Sequence, residues 1–321
     1  MLKLVLTRAI ACFCCLSIGV ALAEDKFEWS VKPGEILLTR GDQPVIRSMT
    51  AYDDSTKEKR EETYKVYTHV YGPGTRDLIT KGPGGLYPHH RGIYLGWNKT
   101  HVGDKLYDFW HCNKGEQQRL VGEPQVSVDG DDATCTLTIH WNDSDGKPVI
   151  IEHRTLVVTA PKENTWQIDV TSKLESQRGL IKLEGDRQHA GLQYRAPQTV
   201  AEAKGARYIR PAGFPEQAEA FEVDDKEPLR HINLHWLEMT YKVGEESYNV
   251  EYLEAPGQPT PSLFSERPYG RFGAFFKATV DTDKPLTVRY RFIISKGTAP
   301  TRDEVQRDYD RYAKEIAIRK K

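Results

Sequence analysis

Strict alternation of apolar and polar positions marks ATCTLTIHW at 133 to 141, where Ala133, Cys135, Leu137, Ile139 and Trp141 share one face. A period of two is the signature of a half-buried β-strand. The turn NDSDGKP follows, then VIIEHRTLVV (149 to 158) and TWQIDVTSKL (165 to 174), with Trp166, Ile168 and Val170 on one face. Three such strands joined by turn residues predict an antiparallel meander. EILLTR (35 to 40), PVIRSM (44 to 49), YKVYTHVY (64 to 71), HWLEMTYKV (235 to 243), SYNVEYLE (247 to 254), GAFFKATV (273 to 280) and LTVRYRFII (286 to 294) carry similar patterns. So many short strands predict an all-β fold, an antiparallel sandwich or barrel.

The period changes in TRDEVQRDYDRYAKEIAIRKK, where Val305, Tyr309, Tyr312 and Ile316 recur at helical spacing behind Thr301 and Glu304, a capping box. A C-terminal helix over 299 to 321, packed on the sandwich and carrying no chemistry, is expected. No internal repeat or low-complexity linker divides the chain, so residues 24 to 298 are expected to form a single β-sandwich domain. The Pro/Gly-rich stretches GPGTRDLITKGPGG (72 to 85) and EAPGQPTPS (254 to 262) read as long loops. Loops on a rigid β scaffold are where binding groups usually sit.

The N-terminus has a different logic. Lys3 and Arg8, an apolar run from Ala9 to Val20, and Ala21-Leu22-Ala23 predict a signal peptide over 1 to 23, cleaved after Ala23. The mature chain is therefore expected to be secreted or periplasmic. A lipoprotein leader ending at Cys12, Cys14 or Cys15 fits less well, because Ala9-Ile10-Ala11 is not a Leu-rich approach. No other segment approaches the roughly 20 apolar residues of a spanning helix. Of the five cysteines, Cys112 and Cys135 remain after cleavage, in a compartment where one disulfide could persist. Cys135 reads equally as a small buried side chain on its strand. Net charge is −1 for the whole chain and about −3 once Lys3 and Arg8 are removed, with no basic block. Nucleic acid is excluded as a partner, since counterion release needs a concentrated positive face.

Four segments carry candidate chemistry. YPHHRGIYLGWN (87 to 98) places His89, His90 and Arg91 at a strand entrance. Adjacent strand residues point to opposite faces, so both histidines reach one cleft only if the strand has not begun. The plain alternative is that they hold the long loop by hydrogen bonds. In YDFWHC (107 to 112), strand geometry would put Asp108, Trp110 and Cys112 on one face and Phe109 with His111 on the other. An exposed Trp110 beside Asp108 suits a sugar, whose C–H face stacks on indole while the acid takes a hydroxyl; a core tryptophan with a loop-capping aspartate is the rival. LEGDRQHAGLQYR (183 to 195) concentrates Glu184, Asp186, Arg187 and His189, and SERPYGRFGAFF (265 to 276) offers Glu266, Arg267, Tyr269 and Arg271. Arginine forks recognise carboxylates or vicinal hydroxyls.

The mature sequence has no HExxH, CxxC, P-loop or GxSxG, so zincin, dithiol, nucleotide and esterase chemistries lack their defining spacing. No nucleotide cofactor is expected. A divalent metal held by His89 or His90 with His111, His189 and a carboxylate is permitted by residue type.

PHHRGIYLGWN, DFWH, DRQHAGLQYR, SERPYGRFGAFF and VRYRFIISKG occur in this order over roughly residues 35 to 297. With them the chain resembles the bacterial family filed as "methane oxygenase PmoA", HHRG with DFW being the more specific part. Where many members have Lys-Glu-Gly-Gly before a Leu-x-x-Arg segment, this chain has Arg187-Gln188-His189-Ala190-Gly191, so any role of that loop transfers less directly. The methane monooxygenase subunit of that name is a membrane protein, unlike this polar chain. The family's exported members are similar to carbohydrate-associated sandwiches of the galactose-mutarotase kind. The resemblance implies a large supersandwich whose concave face holds histidine, arginine, carboxylate and tryptophan.

These readings converge on an exported carbohydrate-active protein, expected to be an enzyme of hydrolase, lyase or epimerase type. His90 foremost, then His89, His111 and His189, would exchange a proton, with Asp108 or Glu184 as partner. Arg91, Trp97, Trp110, Arg187, Arg267 and Tyr269 would bind the carbohydrate or other small molecule. Histidine suits the role because its pKa of about 6.5 populates both forms. The rivals are a non-catalytic sugar-binding sandwich, an envelope protein with no ligand and, least favoured, a metal-dependent oxygenase.

Overall fold

The structure, a computed structural model, describes residues 25–214 and 232–319. The leader expected over residues 1 to 23 lies outside them. In chain order come β1 (Phe27–Lys32), β2 (Glu35–Arg40), β3 (Gln43–Met49), α1 (Lys57–Thr63), β4 (Tyr67–Val70), β5 (Ile93–Trp97), β6 (Lys99–Val102) and β7 (Lys105–Tyr107). There follow β8 (Gln117–Leu120), β9 (Gln125–Asp129), β10 (Asp132–Asn142), β11 (Pro148–Thr159), β12 (Thr165–Ser176), β13 (Ile181–Glu184), β14 (Ala190–Arg195) and α2 (Gln198–Ala203). The last are β15 (Arg207–Ile209), β16 (Trp236–Val243), β17 (Glu246–Glu254), β18 (Leu263–Arg267), β19 (Arg271–Phe275), β20 (Ala278–Val280), β21 (Leu286–Lys296) and α3 (Arg302–Arg319).

The strands form a front sheet in the order β1-β2-β3-β4-β5-β14-β19-β18 and a back sheet in the order β15-β16-β17-β21-β12-β11-β10-β8, with β9 also on β10. A small third sheet runs β20-β13-β6-β7. The expected meander is β10-β11-β12, paired antiparallel with Cys135 opposite Leu156 and Val170 opposite Leu156. The fold is thus the expected large antiparallel sandwich with a C-terminal helix.

Alternation decides what each face of the front sheet does. Ile93, Leu95 and Trp97 of β5, Leu192 and Tyr194 of β14, and Phe272 and Ala274 of β19 join one core with the inner face of the back sheet. Contacts across it include Trp97 on Trp141 at 6.2 Å and Tyr194 on Phe292 at 6.0 Å between ring centroids. Each large apolar side chain so buried stabilises the fold by about 1.5–3 kcal/mol. The intervening residues, among them Tyr67 and His69 of β4, Tyr94 of β5 and Gln193 and Arg195 of β14, lie on the opposite face. That face is itself covered, since Tyr67, Tyr94 and Trp110 form a second small apolar cluster there. It is the side over which the loops before β5, after β7 and before β14 fold.

The capping box forms as the sequence requires: Thr301 N donates to Glu304 Oε2 at 2.7 Å and Glu304 N donates to Thr301 Oγ1 at 3.4 Å. Val305, Tyr312 and Ile316 pack on Trp236 and Leu253. Two segments differ from expectation. YKVYTHVY is strand only over Tyr67–Val70, and GAFFKATV divides between β19 in the front sheet and β20 in the small one. Cys112 and Cys135 are both buried and free, so no bridge joins them.

Candidate functional site

Strand β5 begins at Ile93, so His89 and His90 precede the pleat. They sit in a turn closed by His90 N donating to Tyr87 O at 2.9 Å. Freed from alternation, both rings lie on the covered face, edge to face at 4.7 Å. Buried Lys65 fixes the turn by donating to His89 O at 2.8 Å. Arg91, also buried, donates to His90 O at 2.8 Å and to Glu61 O at 2.6 Å. Its two terminal nitrogens are committed to backbone, which corrects its expected role in orienting a sugar.

Residues 108 to 112 are a turn, not the expected strand. Asp108 Oδ1 accepts from Trp110 N at 2.9 Å and His111 N at 2.8 Å, while Cys112 N donates to Asp108 O at 3.0 Å. A short acid that satisfies nearby amides competes with the ladder and closes a turn instead. The turn is seated on β5: Phe109 N donates to Trp97 O at 2.9 Å and Tyr94 OH donates to Phe109 O. A Cβ on Gly96 would lie 2.5 Å from Phe109 O, so this approach requires glycine. The remaining oxygen, Asp108 Oδ2, accepts from His111 Nδ1 at 2.8 Å.

The loop before β14 repeats this device. Asp186 Oδ1 accepts from Gln188 N at 2.9 Å and from His189 Nδ1 at 3.0 Å. Asn98, just past β5, donates from Nδ2 to Asp186 Oδ2 at 2.8 Å and from N to His189 O at 3.0 Å. Asp108-Phe-Trp-His111 and Asp186-Arg-Gln-His189 are therefore two D-x-x-H turns, each with its aspartate holding its histidine.

The two turns bring His111 and His189 against His89, with ring centroids 5.0 Å (His89–His111), 5.7 Å (His89–His189) and 4.7 Å (His111–His189) apart. One ligand nitrogen from each lies within 4.8 Å of the other two. Burial opposes ionisation of Asp108, but the hydrogen bonds from His111 and Trp110 outweigh it and hold the carboxyl below its usual range. Asp186 is likewise held low, by His189, Gln188 and Asn98 against burial. An ionised carboxylate only accepts, so each bound Nδ1 carries a proton, and Nε2 is the nitrogen whose lone pair the neutral ring would offer. His89 Nε2 is buried without a partner. Burial first, then Lys65 and His111, push the His89 pKa down to about 2, so this imidazole is neutral. Zn–N bonds of about 2.0–2.1 Å hold tetrahedral ligands roughly 3.4 Å apart, a closure that small ring rotations supply. The three histidines are half-buried.

The other expected residues fall into three groups. His90 is buried and stacked at 4.9 Å on exposed Tyr87, which also meets Tyr269 at 4.6 Å; these rings flank the centre. Arg187 lies in the His189 turn, and Arg267 donates to Glu266 O at 2.7 Å on β18. Glu184 is turned toward His101 at 3.4 Å and Lys277 at 3.5 Å, not toward the three histidines. Two expectations are corrected. Trp97 is wholly inside the core, donating to Phe276 O at 3.3 Å. Trp110 is 2% exposed, beneath the centre with its ring 6.3 Å from that of His189, so it offers no open face for stacking. Asp186 stood in its charged segment without an assigned role, and Asn98, Lys65 and Arg195 were not among the candidates; the repeated D-x-x-H spacing is the signal that could have joined Asp186 to His189. Cavities of about 450 Å³, touching Tyr64, His89 and His111, and about 410 Å³, touching Asp186 to His189 and Lys277, open on either side.

Fold and site define an antiparallel β-sandwich protein with a three-histidine cluster on the loop-covered face of its front sheet. Residues 35–310 match the "Family of unknown function (DUF6807)", and the chain belongs to that family. Its description assigns no oxygenase activity. No curated protein matches the chain. Among solved structures, the chain is similar to a protein provisionally named kojibiose phosphorylase from human microbiome, at 8% identity and a TM-score of 0.34, covering 84% of this chain and 32% of that one. It spans about a third of that protein's length. It is also similar to the GalM/aldose epimerase homologue from C. elegans, at 8% identity and a TM-score of 0.29, covering 86% of this chain and 100% of that one. Likenesses at this level leave the architecture to rest on the sheets described above.

Proposed function

We propose that this protein is a metal-dependent, carbohydrate-active enzyme in which His89, His111 and His189 hold one divalent transition-metal ion, zinc foremost. The observation that carries this reading is the meeting of three imidazole nitrogens, on rings of which two are held at Nδ1 by Asp108 and Asp186. Three neutral nitrogens with an open fourth position are the ligand set of catalytic rather than structural zinc. Such an ion polarises a substrate oxygen or lowers the pKa of a bound water to about 7. Hydrolysis, elimination and epimerisation of a sugar all build negative charge on an oxygen, and a cation there stabilises each.

The reading redistributes the roles expected from sequence. His89, His111 and His189 bind metal through the nitrogens that proton exchange would need. Asp108 and Asp186 act on those rings, not on substrate. His90, beside the centre but outside the ligand set, remains the proton-exchanging candidate. Exposed Tyr87, with Tyr269, supplies the aromatic surface for a sugar's C–H face that Trp110 cannot. Cleavage after Ala23 would put this activity outside the cytoplasm.

The test is turnover. Chelator-treated protein is reloaded with zinc and offered oligosaccharides and glycosides, including oxidised 3-keto glycosides. Turnover that returns with zinc and is absent in His111→Ala is expected. Turnover indifferent to chelation, or saturable binding without turnover of any ligand by the metal-loaded protein, contradicts the reading.

A further inference from the structure

The floor beneath the three histidines is built of hydrogen-bond donors that the protein does not use. Arg195 comes from the outward side of β14 and is 2% exposed. Its guanidinium lies between the two D-x-x-H turns: Nη2 donates to Gln188 O at 3.1 Å, and Cζ stands 5.5 Å from the Trp110 ring. Nε and Nη1 of Arg195 are sealed from solvent with no partner, and so are Arg187 Nη1 and Trp110 Nε1. Lys65, likewise buried, places its Nζ 5.4 Å from the same Trp110 ring.

Two structural arginines of this chain, Arg154 and Arg178, look different. Arg154 is saturated by both oxygens of Glu152 and by Val66 O, and Arg178 by Asp143, Tyr107 and the carbonyls of Pro148 and Lys147. At the centre the carboxylates are already taken: Asp108 and Asp186 by the histidines, Glu116 by the amides of Asp108 and Lys114. A buried guanidinium left short of acceptors costs several kcal/mol unless something else supplies them. A divalent ion above would raise the positive charge further, and only an anion offsets both.

We infer that the substrate is an anionic carbohydrate, its carboxylate or phosphate received by Arg195 with Trp110 Nε1 and Arg187 Nη1 while its hydroxyl or carbonyl oxygens face the metal. This rests on the metal-dependent reading for the second half of that contact alone. A planar guanidinium fork matches an oxyanion in a way that a neutral hydroxyl does not. The stacked Tyr87 and Tyr269 cover this end of the cleft beside His90.

Calorimetric titration of the full chain tests it, in chelator-treated and zinc-loaded forms, with glucuronate, galacturonate, glucose 6-phosphate and the neutral parents glucose and galactose. At least one acid is expected to bind about tenfold or more tightly than its parent, the gain of a charge-assisted hydrogen-bond pair; the uronate and phosphate arms tell which oxyanion is chosen. Arg195→Gln is expected to erase that preference while retaining the folded circular-dichroism spectrum and zinc uptake. Should Arg195→Gln fail to fold, Arg187→Gln, on a half-buried turn, is expected to reduce the preference severalfold. Equal affinity for acids and parents, no binding by any of the five sugars, or a preference untouched by the arginine variants overturns the inference. A protein that prefers acids but takes up no zinc contradicts the metal reading instead, and one that loads zinc without the preference contradicts this inference alone.

Discussion

An imidazole ligates well when one nitrogen is held and the other left bare, and here an aspartate three residues upstream does the holding twice. Asp108→Asn separates this from mere turn closure. Asparagine keeps an oxygen for the amides of Trp110 and His111 but turns its NH₂ toward His111 Nδ1, favouring the tautomer with the proton on Nε2. The same holds for Asp186→Asn and His189. Each variant is expected to remain folded and to lose about 10–100-fold in zinc affinity, measured by competition with a chromogenic chelator. Equal affinity in both variants would show that the pairs serve the loops only. At this scale the sequence was partly legible. Titratable clusters at 89 to 91, 108 to 111 and 184 to 189 were visible, but the exposure of Trp97 and Trp110 was not, because period-two spacing says that a residue alternates and not which side is covered.

The element that makes the site is the pair β5 and β14, whose ends receive both D-x-x-H turns. Gly96→Ala tests this coupling, since a Cβ 2.5 Å from Phe109 O must push the 108 to 112 turn off β5. Destabilisation of about 1–3 kcal/mol in denaturant unfolding is expected, as for other overpacked positions, together with weakened zinc binding; an unchanged affinity would mean that the turn does not need β5 for its position. The meander and α3 were readable because their signals are local: alternation for one, a capping box with helical spacing for the other. The division of GAFFKATV between two sheets was not, since it is set by which neighbours β19 and β20 find. DFWH read as strand because its alternation is real, and the Asp108 side chain overrides it.

Across the whole molecule, charge burial sets the response to pH. Glu238, Glu251 and Glu254, on β16 and β17 away from the site, have pKa values pushed up to about 8, burial being the main cause in each. Between about pH 4.5 and 8 the folded chain keeps these protons while the unfolded chain releases them, so their contribution to stability falls as pH rises through this window. The buried neutral histidines His69, His89 and His90 contribute the opposite slope below about pH 6.5, so the carboxyls are read above it: the melting temperature is expected to fall between about pH 6.5 and 8 and Glu254→Gln, which mimics the neutral acid, to flatten that decline; a decline that Glu254→Gln leaves unchanged would contradict it. The convergence of residues 89, 111 and 189 also belongs to this scale: three loops far apart in sequence meet only because the front sheet brings β5 and β14 side by side. Zinc titration by calorimetry into the chelator-treated chain tests that convergence most directly. One ion per chain, with affinity reduced at least about 100-fold in His111→Ala and in His189→Ala, is the predicted result; no uptake, or uptake that both variants retain, would contradict it.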